Sequence, residues 1–145
     1  MSTIGGNASL FIKEAAVRWY MMLDMRGSSS FGHSMRTRLE LKEVSIEPSP
    51  DDSKKMSSKM VCDLEITPVS FEILRGSAIS LLLMRLLEDE NEVIGVTQTF
   101  NFFFHHPAPP AGSRIRIINR SVSTAEDVGC CQSEVGLHLL GRGHI

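Results

Sequence analysis

The chain has 145 residues, enough for one domain with a substantial hydrophobic core. Its 15 Lys and Arg against 17 Asp and Glu leave a formal charge of −2 with neutral histidines, which gives no electrostatic basis for binding nucleic acid or an anionic membrane. The longest apolar region, Ile79 to Leu87, is broken by Ser80 and Arg85 and is too short to span a bilayer.

Met1 to Gly6 lacks the basic and apolar regions of a secretory signal. Asn7 or Ser9 can cap a helix running to about Met25, with Phe11, Ala15, Trp19 and Met22 on one stripe. Glu14 and Asp24 stand beside Lys13, Arg18 and Arg26, an acid content that argues against a mitochondrial presequence. Arg26 to His33 is a glycine and serine connector without the spacing or the lysine of a phosphate-binding loop. Leu39 and Leu41 alternate with charged residues, and Val44 and Ile46 continue on the opposite parity. This predicts a strand with a bulge near Glu43. A polar connection over Pro48 to Lys55 leads to a second strand through Met60, Cys62, Leu64 and Ile66, which ends at Thr67-Pro68.

From Phe71 to Glu88 the spacing of Ile79, Leu82, Leu83, Leu86 and Leu87 predicts a helix apolar over most of its girth, and thus buried against a sheet. After the acidic stretch Glu88 to Glu92, the segment Gly95 to Phe104 reads as an aromatic strand. Val96, Phe100, Phe102 and Phe104 share one parity and Thr97, Thr99, Asn101 and Phe103 the other. His105 and His106 follow, and then Pro107, Pro109 and Pro110 end the pairing, because proline cannot donate to a ladder. A strand over Arg114 to Ser123, with Arg114, Arg116 and Arg120 on a solvated face, precedes a turn at Thr124 to Asp127. The last strand runs from Val128 to about Val135, with an end piece at Gly141 to Ile145. Consecutive strands on short loops pair antiparallel. The simplest way to bury both the helix and the sheet is an α+β fold in which a curved antiparallel sheet wraps the apolar helix.

The odd count of cysteines, Cys62, Cys130 and Cys131, shows no metal pair or disulfide framework and fits a reducing compartment, cytosol or mitochondrial matrix. His105 and His106 are adjacent in a strand, point oppositely and do not readily share a metal.

The strand Met60 to Thr67 with Pro68, the helix start Leu74-Arg-Gly-Ser-Ala78, Gly95-Val-Thr-Gln-Thr with Phe104-His-His-Pro-Ala108, and the strands on either side of Ala125 together resemble the hotdog-fold acyl-coenzyme A thioesterases of the PaaI type. Within these, the chain is most similar to the group of thioesterase superfamily member two and its fungal relatives. The resemblance covers roughly residues 38–145. It implies a hotdog domain over 38–145 preceded by an N-terminal helix and loop over 1–37. It also implies hydrolysis of fatty acyl-coenzyme A by a homodimer or dimer of dimers, with no cofactor besides the thioester substrate.

In such enzymes backbone N–H groups at the helix start polarise the thioester carbonyl, a carboxylate activates water or attacks, and a hydroxyl from the next strand orients the water. By position Gly76 supplies the backbone amide and Thr97 the hydroxyl. Arg75-Gly76-Ser77 stands where His-Gly-Gly is usual, Val69 where an asparagine is usual and Met84 where the acid is usual. Arg75 likewise removes the histidine that a dehydratase-type hotdog enzyme needs. The coenzyme would be held by Thr99, by Phe104, His105, His106, Pro107, Ala108 and Pro109, and by the hairpin Ser123, Thr124, Ala125, Glu126, Asp127 and Val128, whose amides can bind phosphate. A polar-to-apolar change at Val69 and Met84 leaves an alternative open: a non-catalytic module that binds coenzyme A or its thioesters.

Overall fold

A computed structural model describes residues 3–22, 38–49, 52–66, 83, 101, 103, 109–124 and 129–137. It contains one N-terminal helix, α1 (Leu10–Met22), and four strands, β1 (Glu40–Pro48), β2 (Met56–Glu65), β3 (Arg114–Thr124) and β4 (Gly129–Leu137). The strands form one sheet in the order β1-β2-β3-β4, and every neighbouring pair is antiparallel. The class is therefore α+β. The bulge expected near Glu43 is present, as a register shift between Leu41 and Glu43.

β2 and β3 are neighbours although the chain between them is long. They are joined at a neck: the Ile66 N–H donates to the Ser113 carbonyl at 2.8 Å, and the Gly112 N–H donates to the Ile66 carbonyl at 2.9 Å. Gly112 turns the chain into β3 at φ 88°, a left-handed conformation that glycine adopts without steric cost. The end of β2 and the start of β3 are thus held side by side, although 47 residues of sequence separate Ile66 from Arg114.

Register divides the sheet into two faces. Leu41, Val44 and Ile46, then Met60, Cys62 and Leu64, then Ile115 and Ile117, then Val135 and Leu137 share the inner face. Glu43, Glu47, Lys59, Asp63, Arg116, Arg120 and Glu134 share the outer one. The main core cluster joins Val44, Met60 and Cys62 to Ala8, Ile12, Ala15, Ala16 and Trp19 of the N-terminal segment and to Leu83. Leu83 is helical and fully buried. The rest of the helix expected over Phe71 to Glu88 lies outside the described residues. Leu64, Ile115 and Ile117 form a smaller cluster.

α1 differs from the expectation in phase. Phe11 is 59 % exposed, and the buried stripe is Ile12, Ala15, Ala16 and Trp19. The cause is an anchor distant in sequence: Gly5 and Ala8 are hydrogen-bonded to β1, which fixes how the helix is rotated as it begins. The two alanines then let the helix backbone approach the sheet. Of the two candidate caps, Ser9 holds that place, its Oγ accepting from the Ile12 N–H at 3.4 Å, while Asn7 is engaged with β1.

Asn101 and Phe103 correct part of the aromatic-strand expectation. Both lie outside any strand, and Phe103 is 83 % exposed. The remainder of Gly95 to Phe104 lies outside the described residues. The last hairpin matches its expected course, with β3 reaching Thr124 and β4 running from Gly129 to Leu137.

Candidate functional site

Most residues expected to carry chemistry lie outside the described residues: Val69, Gly76, Met84, Thr97, Thr99, Phe104, His105, His106, Pro107, Ala108, Ala125, Glu126, Asp127 and Val128. Three are described. Pro109 is half-buried just before the neck, and Ser123 and Thr124 end β3 at its other extremity. Strand rise separates the start of β3 from Ser123 by roughly 30 Å. Within one chain, then, Pro109 does not meet Ser123 and Thr124.

The inner face carries a polar lane across β2, β3 and β4. Ser58, Asn119 and Ser121 are all buried there. The Ser133 hydroxyl donates to Asn119 Oδ1 at 2.6 Å, and the Ser58 N–H donates to Ser121 Oγ at 2.8 Å. From the adjacent position, Ser57 Oγ donates to the Ser121 carbonyl at 2.6 Å. The lane coincides with a register shift between Ser121 and Ser123. Where a ladder slips, backbone groups lose their regular partners, and short hydroxyl side chains satisfy them. The paired strand positions of this face hold no carboxylate, histidine or lysine. The hydroxyls and carboxamide of this lane can donate and accept hydrogen bonds.

Charge is gathered on the outer face. Asp63 is 1 % exposed, and both its oxygens accept from Arg116, from Nε at 2.8 Å and from Nη2 at 3.0 Å. Such a two-bond fork is the strong form of a charged pair. It holds the Arg116 guanidinium above its ordinary value, burial opposing. Lys59 lies 3.0 Å from Glu43 and 3.4 Å from Glu47. The Ser45 hydroxyl donates to Glu43 at 2.7 Å. That hydroxyl and then the Lys59 ammonium lower the Glu43 pKa, while burial opposes them.

A depressed carboxylate pKa stabilises the fold above its unfolded value and loses that contribution as pH falls through the folded one. Glu43→Gln is therefore expected to cost about 0.5 kcal/mol near neutrality, as partly exposed pairs do. The difference from the parent chain should fade as urea unfolding is repeated from pH 6 down to about pH 3. A constant difference over that range would show that the charge of Glu43 is not what stabilises.

A shallow groove of about 290 Å³ lies along β4, lined by Arg116, Ile118, Glu134, Val135, Gly136 and Leu137. Among the described residues no group of His, Cys, Asp or Glu is arranged to hold a metal. No described helix is long and apolar enough to cross a membrane. Two features escaped the sequence reading. The Asp63–Arg116 fork joins residues that both sit at outward strand positions, yet nothing local tells that β2 and β3 are neighbours. Asn7 gave only a capping signal. No family model, curated protein or solved structure matches the chain.

Proposed function

We propose that the chain is an acyl-coenzyme A thioesterase-like hotdog protein, built to take a fatty acyl-coenzyme A thioester into a cleft between two copies. One observation carries this reading. The four described strands pair antiparallel, the two middle ones meet at a neck where residues 67–111 begin and end, and Leu83 from that segment is helical and buried against the inner face. An apolar helix held by a curved sheet is the packing that the resemblance implies. The separation of Pro109 from Ser123 and Thr124 along β3 supports a coenzyme site completed by a second copy, in a homodimer or dimer of dimers. Cytosol or mitochondrial matrix is the compartment that suits it.

In this reading the Gly76 amide polarises the thioester carbonyl, the Thr97 hydroxyl orients the incoming molecule, and the loops named above hold the coenzyme. Val69 and Met84 put apolar side chains where the amide and the acid are usual. That favours a second form of the same proposal, a module that binds coenzyme A thioesters without hydrolysing them. Losing a catalytic carboxylate commonly costs about three orders of magnitude in rate. Coenzyme A is expected to raise the melting temperature by several degrees at about 100 times its dissociation constant. The parent chain should hydrolyse medium- and long-chain acyl-coenzyme A slowly or not at all, and Met84→Asp should increase turnover. The proposal fails if neither protein is stabilised by coenzyme A and neither turns over.

A further inference from the structure

Residues ahead of α1 run along the side of β1 that faces away from β2. The Gly5 N–H donates to the Lys42 carbonyl at 2.8 Å, and the Val44 N–H donates to the Gly5 carbonyl at 3.1 Å. The Ala8 N–H then donates to the Val44 carbonyl at 3.2 Å. One residue pair further along β1, a side chain takes over. Asn7 Nδ2 donates to the Ile46 carbonyl at 3.0 Å, and the Ile46 N–H donates to Asn7 Oδ1 at 2.8 Å. Gly5 pairs with Glu43 in the parallel sense, and the Asn7 carboxamide, with the donor and acceptor of a peptide unit, gives Ile46 both bonds that the facing residue of an antiparallel strand would give.

Gly6 makes this approach possible. Its φ is 89°, and a Cβ there would lie 2.2 Å from the Val44 carbonyl oxygen. Lys13 Nζ donates to the Gly6 carbonyl at 2.8 Å and ties the segment to the helix. Gly5, Gly6 and Asn7 themselves face solvent, and Ala8 is the first buried residue. A bare β1 would present the outward backbone groups of Lys42, Val44 and Ile46 as a template for another strand, the hazard of any sheet edge.

We propose that Gly5, Gly6 and Asn7 form an edge guard acting in cis, which occupies the strand-addition site of β1 and keeps a second copy of the chain from pairing there. The copy that completes the proposed cleft must then dock at another surface. The inference stands on the β1 geometry alone, whatever the chain binds.

Asn7→Asp and Gly6→Val in the full chain test it. Aspartate cannot donate to Ile46 and sets an anion against its carbonyl, and valine at Gly6 meets the Val44 oxygen. In either variant the Val44 and Ile46 amides should exchange hydrogen at least about tenfold faster, while Ile117 keeps its parent rate. As concentration rises, the variants should associate beyond the parent chain by light scattering, and Val44 and Ile46 should regain protection in the associated material. Parent rates at Val44 and Ile46, no added association, or association without renewed protection at those two amides would each overturn the proposal. Should Gly6→Val also lose protection at Ile117, the whole chain has opened and Asn7→Asp decides. The same global loss with Asn7→Asp would overturn it too, since an exposed residue would then be holding the fold and not an edge.

Discussion

Trp19→Ala is expected to cost about 3–5 kcal/mol of folding stability, the range for emptying a large buried aromatic site. Trp19 is 3 % exposed and belongs to the cluster that joins α1 to Val44, Met60, Cys62 and Leu83. Its loss removes packing on the helix and the inner face together. The helix ahead of it is held by Ala15 and Ala16, both fully buried, which have no volume to spare for filling the space. Phe11→Ala is the control. Phe11 is larger than its neighbours but 59 % exposed, so its truncation should stay within about 0.5 kcal/mol. Urea unfolding followed by far-ultraviolet circular dichroism measures both. Equal costs would mean that the helix faces the sheet with the stripe its periodicity suggests, and the core described above would be wrong.

That contrast marks where the sequence stops being legible. Alternation within Leu39 to Ile46 and Met60 to Ile66 located two strands, and the slip in parity located the bulge between Leu41 and Glu43. Those signals are local: successive residues of a strand point to opposite faces, so an extra residue flips the pattern. The phase of α1 is not local. Ala8, Ile12, Ala15 and Trp19 satisfy helical spacing about as well as Phe11, Ala15, Trp19 and Met22 do, and the choice between them is made by Gly5 and Ala8 bonding to β1. The adjacency of β2 and β3 is equally remote, since it is set at the neck between Ile66 and Gly112. For the candidate site, position along β3 is all that the described residues add: Pro109 falls at one end, Ser123 and Thr124 at the other. No periodicity could have told whether those two segments meet, because that depends on how far β3 runs between them.

Arg116→Met is expected to cost about 2–3 kcal/mol, near the lower end for breaking a buried ion pair, because the Arg116 side chain is 39 % exposed and partly solvated. The cost comes mainly from Asp63. Its side chain is 2 % exposed, and the carboxylate would stay buried without the guanidinium that forks onto both its oxygens. Asp63→Leu together with Arg116→Met should therefore cost less than Arg116→Met alone, since an apolar pair leaves no buried charge behind. Unfolding of the two single variants and the double variant in a thermodynamic cycle measures the coupling. Costs that simply add would mean that the fork contributes nothing as a pair. High salt separates this pair from the Lys59 contacts with Glu43 and Glu47, whose carboxylates are more open to solvent than that of Asp63 and which should weaken first. The location gives the fork its consequence. Asp63 and Arg116 face each other two residues inside the end of the β2–β3 ladder, where Glu65 meets Arg114 and the chain leaves the sheet. A loosened fork frees both roots of residues 67–111 at once. If that segment carries the Gly76 amide and the Thr97 hydroxyl as proposed, Arg116→Met should weaken stabilisation by coenzyme A more than its stability cost explains. Lys59→Met, farther along the same face, should leave that stabilisation unchanged.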